Sequence, residues 1–94
     1  MKLKYRKILG KISQAVYPGY GCCGRCGLPW AVTDGHTTEY TKVNGCFPLC
    51  EECWSELKPK TRLPYYRELH DKWVNYGEKA ADWNKIKRAV LNGK

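Results

Sequence analysis

The chain has 94 residues, six cysteines and a formal net charge of +8, which fits one small basic domain spanning residues 1–94. A chain of this length hides only about 60–65% of its unfolded surface, so a hydrophobic core alone provides little stability. We therefore expect disulfide bonds or a bound metal to add to it. No apolar run is long enough for a signal peptide or for the roughly 20 residues of a membrane helix, so we expect a soluble protein of the reducing cytoplasm.

The first predicted element is a basic helix within residues 1–20. Its apolar residues recur at three- and four-residue steps, which suits one apolar stripe with lysines opposite. They are Tyr5, Ile8, Leu9, Ile12, Ala15 and Val16. Pro18 and Gly19 end the pattern. Gly10 is a poor helix former, and residues 2–6 also fit a short alternating strand.

Residues 21–58 differ in composition from the first segment, since they are rich in cysteine, glycine and threonine. Their threonines and turn residues predict one or two short hairpins. Extended chain is favoured at residues 31–33 and 37–41, with Asp34-Gly35 as the turn between them. Asn44-Gly45 supplies a second turn.

Three helical segments are predicted after these turns. A short one starts at Cys50, with acidic residues in its first turn, where negative charge suits the helix dipole. A second is opened by Pro64 and ends before Gly77, and a third occupies residues 78–91. The last two form either a bent pair or one long helix within residues 59–94. Their helically spaced apolar residues are assigned mainly to the core: Tyr65, Leu69, Trp73, Tyr76, Trp83, Ile86 and Val90.

Four of the six cysteines form two C-x-x-C pairs, Cys23 with Cys26 and Cys50 with Cys53. Cys23-Gly-Arg-Cys26-Gly has the form of a zinc knuckle, in which two thiolates lie on a tight turn and the following glycine accepts unusual backbone angles. The second pair opens a helix, where free backbone N–H groups stabilise thiolate charge. Disulfides or inert thiols are the alternative, but two such pairs rarely arise by accident in so short a chain. The sequence therefore predicts one structural Zn²⁺.

Knuckle, hairpin and helix in this order make the treble-clef arrangement. We therefore predict an α+β fold: a small zinc-stabilised treble clef with a short β-hairpin, flanked by an N-terminal helix and one or two C-terminal helices. Cys22 and Cys46 are left over and are expected to be small buried residues or a weakly oxidisable pair. Because Cys22 adjoins Cys23, the knuckle can alternatively use Cys22 and Cys26.

The middle of the chain resembles the treble clef of HNH nucleases. The match is carried by Asp34-Gly-His36, by Asn44 and by Leu49-Cys50-Glu-Glu-Cys53. The resemblance implies that His36 is the general base that activates water and that Asn44 orients it. The sequence departs from the family at Gly35, which separates the Asp from the His, and at Trp54, which replaces a metal ligand although indole has no lone pair for a metal. We therefore expect a non-enzymatic protein, with a divergent nuclease as the third hypothesis.

Two phrases of the sequence are also similar to small zinc proteins of bacteriophages. They are Cys26-Gly-Leu-Pro-Trp30 and Phe47-Pro-Leu-Cys-Glu-Glu-Cys-Trp54. This resemblance implies a phage protein that works in the cytoplasm of a bacterial host.

Aromatic residues outside the helical pattern fall into two groups. Trp30 and Trp54 each lie beside a cysteine pair and are expected to pack over the zinc site. The irregularly placed tyrosines are candidates for the surface, where they stack on bases or fill a partner's pocket: Tyr17, Tyr20, Tyr40 and Tyr66.

Charge is distributed unevenly, since residues 1–21 carry +5, residues 22–57 carry −3 and residues 58–94 carry +6. Four thiolates around Zn²⁺ add about −2 to the middle, so a polyanion should meet the two ends first. The leading hypothesis is therefore a non-enzymatic module that binds nucleic acid through phosphates. The residues assigned to this contact are Lys2, Lys4, Arg6, Lys7, Lys11, Lys85, Lys87 and Arg88. The alternative is a protein-interaction module, such as a phage factor that binds an acidic surface of a host enzyme. No membrane partner is expected, and the oligomeric state is open.

Overall fold

The computed structural model describes residues 1–35, 46–77 and 82–92. Its four α-helices are α1 (Leu3–Val16), α2 (Glu51–Glu56), α3 (Pro59–Asn75) and α4 (Trp83–Asn92). The N-terminal segment is thus a helix rather than a strand, and the C-terminal part contains two helices rather than one. None of the four is long and apolar enough to span a lipid bilayer.

The predicted α+β treble clef is wrong, because the described residues are mostly helical and contain no sheet or hairpin. Between described residues, antiparallel pairing is limited to two isolated bridges, Cys22 with Pro29 and Gly35 with Cys50. Strand propensity is expressed only when a neighbouring strand supplies cross-strand contacts along its length. Each bridge here is a single residue pair beside a cysteine loop, and within the described residues no ladder extends from it.

Of the two segments predicted to be extended, only residues 31–33 lie in the described part of the chain. Residues 31–33 lie in a turn, in which the Val32 N–H donates to the Pro29 carbonyl at 2.9 Å. Residues 37–41 and the predicted turn at Asn44-Gly45 lie outside the described residues.

Helix α1 packs against the protein through a face that is not apolar. Its buried residues are Arg6, Gly10 and Ser13, which we call the core row. Gly10 permits a close approach of the helix backbone, because a Cβ at this position would lie 2.6 Å from the Cys26 carbonyl oxygen. One turn later, Gln14 Nε2 donates to the Gly27 carbonyl at 2.7 Å. The core row therefore docks α1 on the first cysteine pair.

The apolar stripe of α1 is present but faces solvent. Its central members, which we call the apolar row, are Tyr5, Leu9, Ile12 and Val16, and they are 39–64% exposed. Three exposed lysines, Lys4, Lys7 and Lys11, form a lysine row. At 100° per residue, this row lies about 140° around the helix from the apolar row. Helix α1 thus has three separate faces: core, apolar and lysine.

Helix α3 begins at Pro59 and contains Pro64, which was predicted to open it. Proline is tolerated at the first helical position, because the N–H that it lacks would have no partner there. The Lys58 N–H donates to Thr61 Oγ1 at 2.9 Å and fixes this earlier start.

Helices α3 and α4 pack on each other and complete the core. Ile86 and Val90 of α4 are buried as predicted, and Asp82 Oδ1 accepts from the Asn84 N–H at 3.2 Å at the start of the helix. Two tyrosines differ from expectation. Tyr66 is fully buried, whereas Tyr76 lies past the end of α3 and is exposed.

Candidate metal centre

Four thiols converge in the interior, from Cys23, Cys26, Cys50 and Cys53. All four residues are buried, and their sulfur atoms lie within 4.8 Å of one another. The Sγ atoms of Cys26 and Cys50 are 3.7 Å apart. A tetrahedral ion with metal–sulfur bonds of about 2.3 Å places its ligands about 3.8 Å apart. The predicted ligand set is therefore assembled in a geometry that can hold one metal ion.

Backbone hydrogen bonds shape the first cysteine pair into a knuckle. The Gly27 N–H donates to the Cys23 carbonyl at 2.9 Å, and Gly27 has a φ of +81°, which glycine adopts without strain. The Arg25 N–H donates to Cys23 Sγ at 3.4 Å. The Gly24 N–H donates to the Pro48 carbonyl at 2.8 Å, which ties the knuckle to the loop before the second pair.

The second pair lies at the start of α2. Cys50 is the residue before the helix, and its Sγ accepts from the Cys53 N–H at 3.5 Å. Glu51 and Glu52 occupy the first turn. The sulfur of Cys50 thus takes the capping position that an oxygen usually holds.

Neither remaining cysteine belongs to this cluster. Cys22 is exposed and Cys46 is half-buried, and all six cysteines are free of disulfide bonds. The knuckle therefore uses Cys23 rather than Cys22, and the expectation that Cys22 is buried is wrong.

Arg6 reaches the sulfur cluster from α1, a role that the sequence did not reveal. Its side chain is 0% exposed, and Nη2 donates to Cys53 Sγ at 3.3 Å. The guanidinium also pairs with Glu52 Oε2 at 3.1 Å and with Glu56 on the next turn of α2. The only signal was indirect, since Arg6 is the sole arginine among the five basic residues of positions 1–21.

The acid–base properties of the cluster follow from burial and hydrogen bonding. Burial raises the pKa of the Cys26 thiol to about 11 and also raises the pKa of Cys50. Burial acts on Cys23 as well, but donation from backbone N–H groups outweighs it and lowers that pKa. At Arg6, the hydrogen bond to Glu56 outweighs desolvation and raises the pKa. A divalent ion that binds the four sulfurs must displace protons, so its affinity falls as the pH falls.

Trp54 and Tyr66 pack beside the centre. The Trp54 indole N–H donates to the Tyr66 hydroxyl at 3.0 Å, and the Arg62 guanidinium lies 3.3 Å from the centre of the indole ring. This network explains why Tyr66 is buried. Trp30 is partly buried against the core cluster that contains the four cysteines, and it makes an edge-to-face contact with Phe47, with ring centroids 4.7 Å apart.

An open groove of about 380 Å³ lies between α1 and the knuckle. Lys7, Lys11 and Gln14 form one wall, and residues 22–27 form the other. Arg25 projects from the knuckle wall and shares Glu56 with Arg6, at 2.7 Å from Nη1 to Oε1. The cationic side chains of the groove therefore come from two elements that the core row of α1 holds together.

The predicted phosphate contacts are distributed over two helices. Arg6 is buried at the metal centre, whereas the others lie exposed on α1, before it or on α4: Lys2, Lys4, Lys7, Lys11, Lys85, Lys87 and Arg88. His36 and Asn44, which the nuclease resemblance singled out, lie outside the described residues.

No protein-family model, curated protein or solved structure matches this chain. The resemblances to HNH nucleases and to phage zinc proteins therefore rest on the short motifs alone. What the structure supports is a cysteine cluster suited to a structural metal.

Proposed function

We propose that this chain is a non-enzymatic zinc-stabilised module that binds nucleic acid through phosphate contacts. The observation that carries the proposal is the groove between α1 and the knuckle, which three cationic side chains line beside the buried cysteines: Lys7, Lys11 and Arg25. Positive groups in a concave surface raise the local concentration of a polyanion. Lys4, the third member of the lysine row, does not line the groove.

Zinc is the ion that we propose for the centre. Four buried thiolates without an open position are typical of structural zinc, and tetrahedral sulfur sites otherwise hold iron. The ion would hold the knuckle and α2 together, and Arg6 would offset part of the negative charge of four thiolates around Zn²⁺.

We expect the protein to have only a weak preference for nucleic-acid sequence, because side chains rather than backbone groups make the proposed phosphate contacts. Three N–H groups of the knuckle, those of Gly24, Arg25 and Gly27, already donate to protein acceptors. Lysines contact phosphate as flexible point charges, and phosphate contacts carry no sequence information. Lys85, Lys87 and Arg88 on α4 form the second basic patch of the proposal, and Arg6 is omitted because it is buried.

The proposal is tested by titrating fluorescent DNA and RNA of unrelated sequence at several salt concentrations. We expect binding at low salt that weakens steeply as salt is added, because bound phosphates release counterions. Lys7→Gln/Lys11→Gln should flatten the slope of log K against log salt by about two units, since each lost contact removes roughly one. Lys58→Gln/Lys60→Gln, at the start of α3, is the control with the same loss of charge outside the groove.

Equal effects of the two double variants would show that only net charge matters and would contradict a groove. Absence of binding by the parent protein at low salt would contradict the function itself. Supercoiled DNA in the same titration with Mg²⁺ should stay uncut. Nicking that disappears in His36→Ala would instead establish the divergent-nuclease hypothesis.

A protein-interaction module is the second candidate, and specific surface features favour it. Tyr17 and Tyr20 form an exposed edge-to-face pair, with ring centroids 5.8 Å apart, just after α1. Exposed tyrosines of this kind often anchor protein interfaces. On this reading the basic residues would match an acidic surface of a host enzyme. Such a module would show no salt-dependent affinity for nucleic acid in the titration above.

A further inference from the structure

The apolar row of α1 lies exposed in the part of the chain that the structure describes. Tyr5, Ile12 and Val16 are 56%, 60% and 64% exposed, and Ile8 beside them is 51% exposed. A helix that turns its apolar face to solvent, while it buries an arginine, a glycine and a serine, is unusual for a monomer. We therefore expect another molecule to cover the apolar row.

The spacing of the row favours another helix as that occupant. Tyr5, Leu9, Ile12 and Val16 are separated by four, three and four residues, which is the alternation of a coiled-coil seam. This spacing reads the same in both directions. An antiparallel copy therefore pairs Leu9 with Ile12 at the centre and the large Tyr5 with the smaller Val16 at each end.

The charges around α1 agree with an antiparallel copy. The N-terminal end carries Lys2 and Lys4, with no acidic residue in the first turn, and the last turn carries no basic residue. In an antiparallel pair, the end of one copy that carries Lys2 lies near the C-terminal end of the other helix, where the dipole favours positive charge. The lysine row of each copy lies about 140° around the helix from the seam, so the lysine rows of the two copies point away from each other.

We infer that the apolar row of α1 is a homodimer seam, occupied by the α1 helix of a second copy of this chain in antiparallel orientation. A two-fold interface uses the same patch on both subunits, and a palindromic spacing meets that requirement. The seam leaves the metal centre and the basic groove of each copy uncovered. The dimer would therefore present two grooves related by the two-fold axis.

Sedimentation equilibrium over a range of protein concentrations tests this inference. The parent protein should reach twice the chain mass of 10.9 kDa as its concentration rises. Ile12→Glu places a charge at the centre of the seam and should raise the dimer dissociation constant at least about tenfold. Because Ile12 is exposed, the variant should retain its metal and its helical circular dichroism. Tyr5→Glu is the second seam variant, and Val74→Glu is the control, since Val74 is also exposed but lies on α3.

Salt separates this association from nucleic-acid binding. Salt screens repulsion between two basic copies, so the dimer should hold or strengthen at high salt, where phosphate binding weakens. A parent that stays monomeric at several hundred micromolar would overturn the inference, as would a dimer that Ile12→Glu leaves intact. Binding of a monomeric parent to anionic vesicles, lost in Ile12→Glu, would assign the row to a lipid surface instead and would equally overturn it.

Discussion

At the scale of single residues, the choice of arginine at position 6 reflects geometry rather than charge alone. Two nitrogens of this one buried guanidinium donate to a thiol sulfur and to two carboxylates. Lysine would bring a single nitrogen on a flexible stem and would not span these acceptors. The sequence analysis predicted that Arg6 contacts phosphate. That prediction missed these partners, because the sequence alone does not show which residues a basic side chain contacts.

Arg6→Ala should lower the free energy of unfolding of the metal-loaded protein by about 2 kcal/mol, because it removes charge-assisted hydrogen bonds from a buried guanidinium, although its partners Glu52 and Glu56 are half exposed. Arg6→Lys should recover only a minor part of this loss. Lys4→Ala, an exposed change on the same helix, is the control and should stay within about 0.5 kcal/mol of the parent. Urea unfolding measures all three. A loss for Arg6→Ala as small as that of Lys4→Ala would contradict the contacts described for this side chain.

At the scale of elements, α1 depends on a glycine that helix propensity disfavours. On a free helix surface, replacing glycine by alanine gains up to about 1 kcal/mol. At Gly10 the added Cβ would lie 2.6 Å from the Cys26 carbonyl oxygen and 2.9 Å from the Gly27 carbonyl carbon. These are backbone atoms of the knuckle and cannot move away without disturbing the metal ligands.

Gly10→Ala should therefore destabilise the protein by more than about 1 kcal/mol, despite the gain in propensity. Thermal unfolding of the metal-loaded protein provides the measurement. Ala15→Gly on the exposed side of α1 is the reverse change and should cost only the ordinary propensity difference. If Gly10→Ala raised the unfolding temperature, the close contact between α1 and the knuckle would be disproved.

The sequence predicted the helices better than the faces that they bury, and its predicted β-hairpin was wrong. The periodicity of α1 correctly indicates an apolar stripe with lysines away from it, but periodicity cannot say which side meets the protein. Here the decision lies with Gly10 and Arg6, whose partners are distant in sequence. On α3, the hydrogen bond from the Trp54 indole holds Tyr66 in the interior, and the sequence does not predict this hydrogen bond either. The cysteine ligands were predictable because the spacing within each pair is local.

At the scale of the whole molecule, the cysteine cluster brings together the knuckle, the start of α2 and, through Arg6, helix α1. Among the described residues the buried hydrophobic side chains are few, and four of them are the cysteines themselves. A structural zinc site contributes on the order of 10 kcal/mol in small domains, which is comparable to the whole stability of a typical protein. We therefore expect a strong chelator to unfold most of the molecule. Circular dichroism checks this by the loss of helix signal, which should return when Zn²⁺ is restored.

The central claim is that Cys23, Cys26, Cys50 and Cys53 together hold one structural zinc ion. Native mass spectrometry with elemental analysis tests it most directly, on the parent, on Cys26→Ser and on Cys22→Ser/Cys46→Ser. We predict one zinc per chain in the parent and in the double variant, because neither Cys22 nor Cys46 lies in the cluster. Cys26→Ser should contain no zinc and should not fold. A parent that is folded without metal, or a double variant that loses its zinc while Cys26→Ser retains it, would contradict the account.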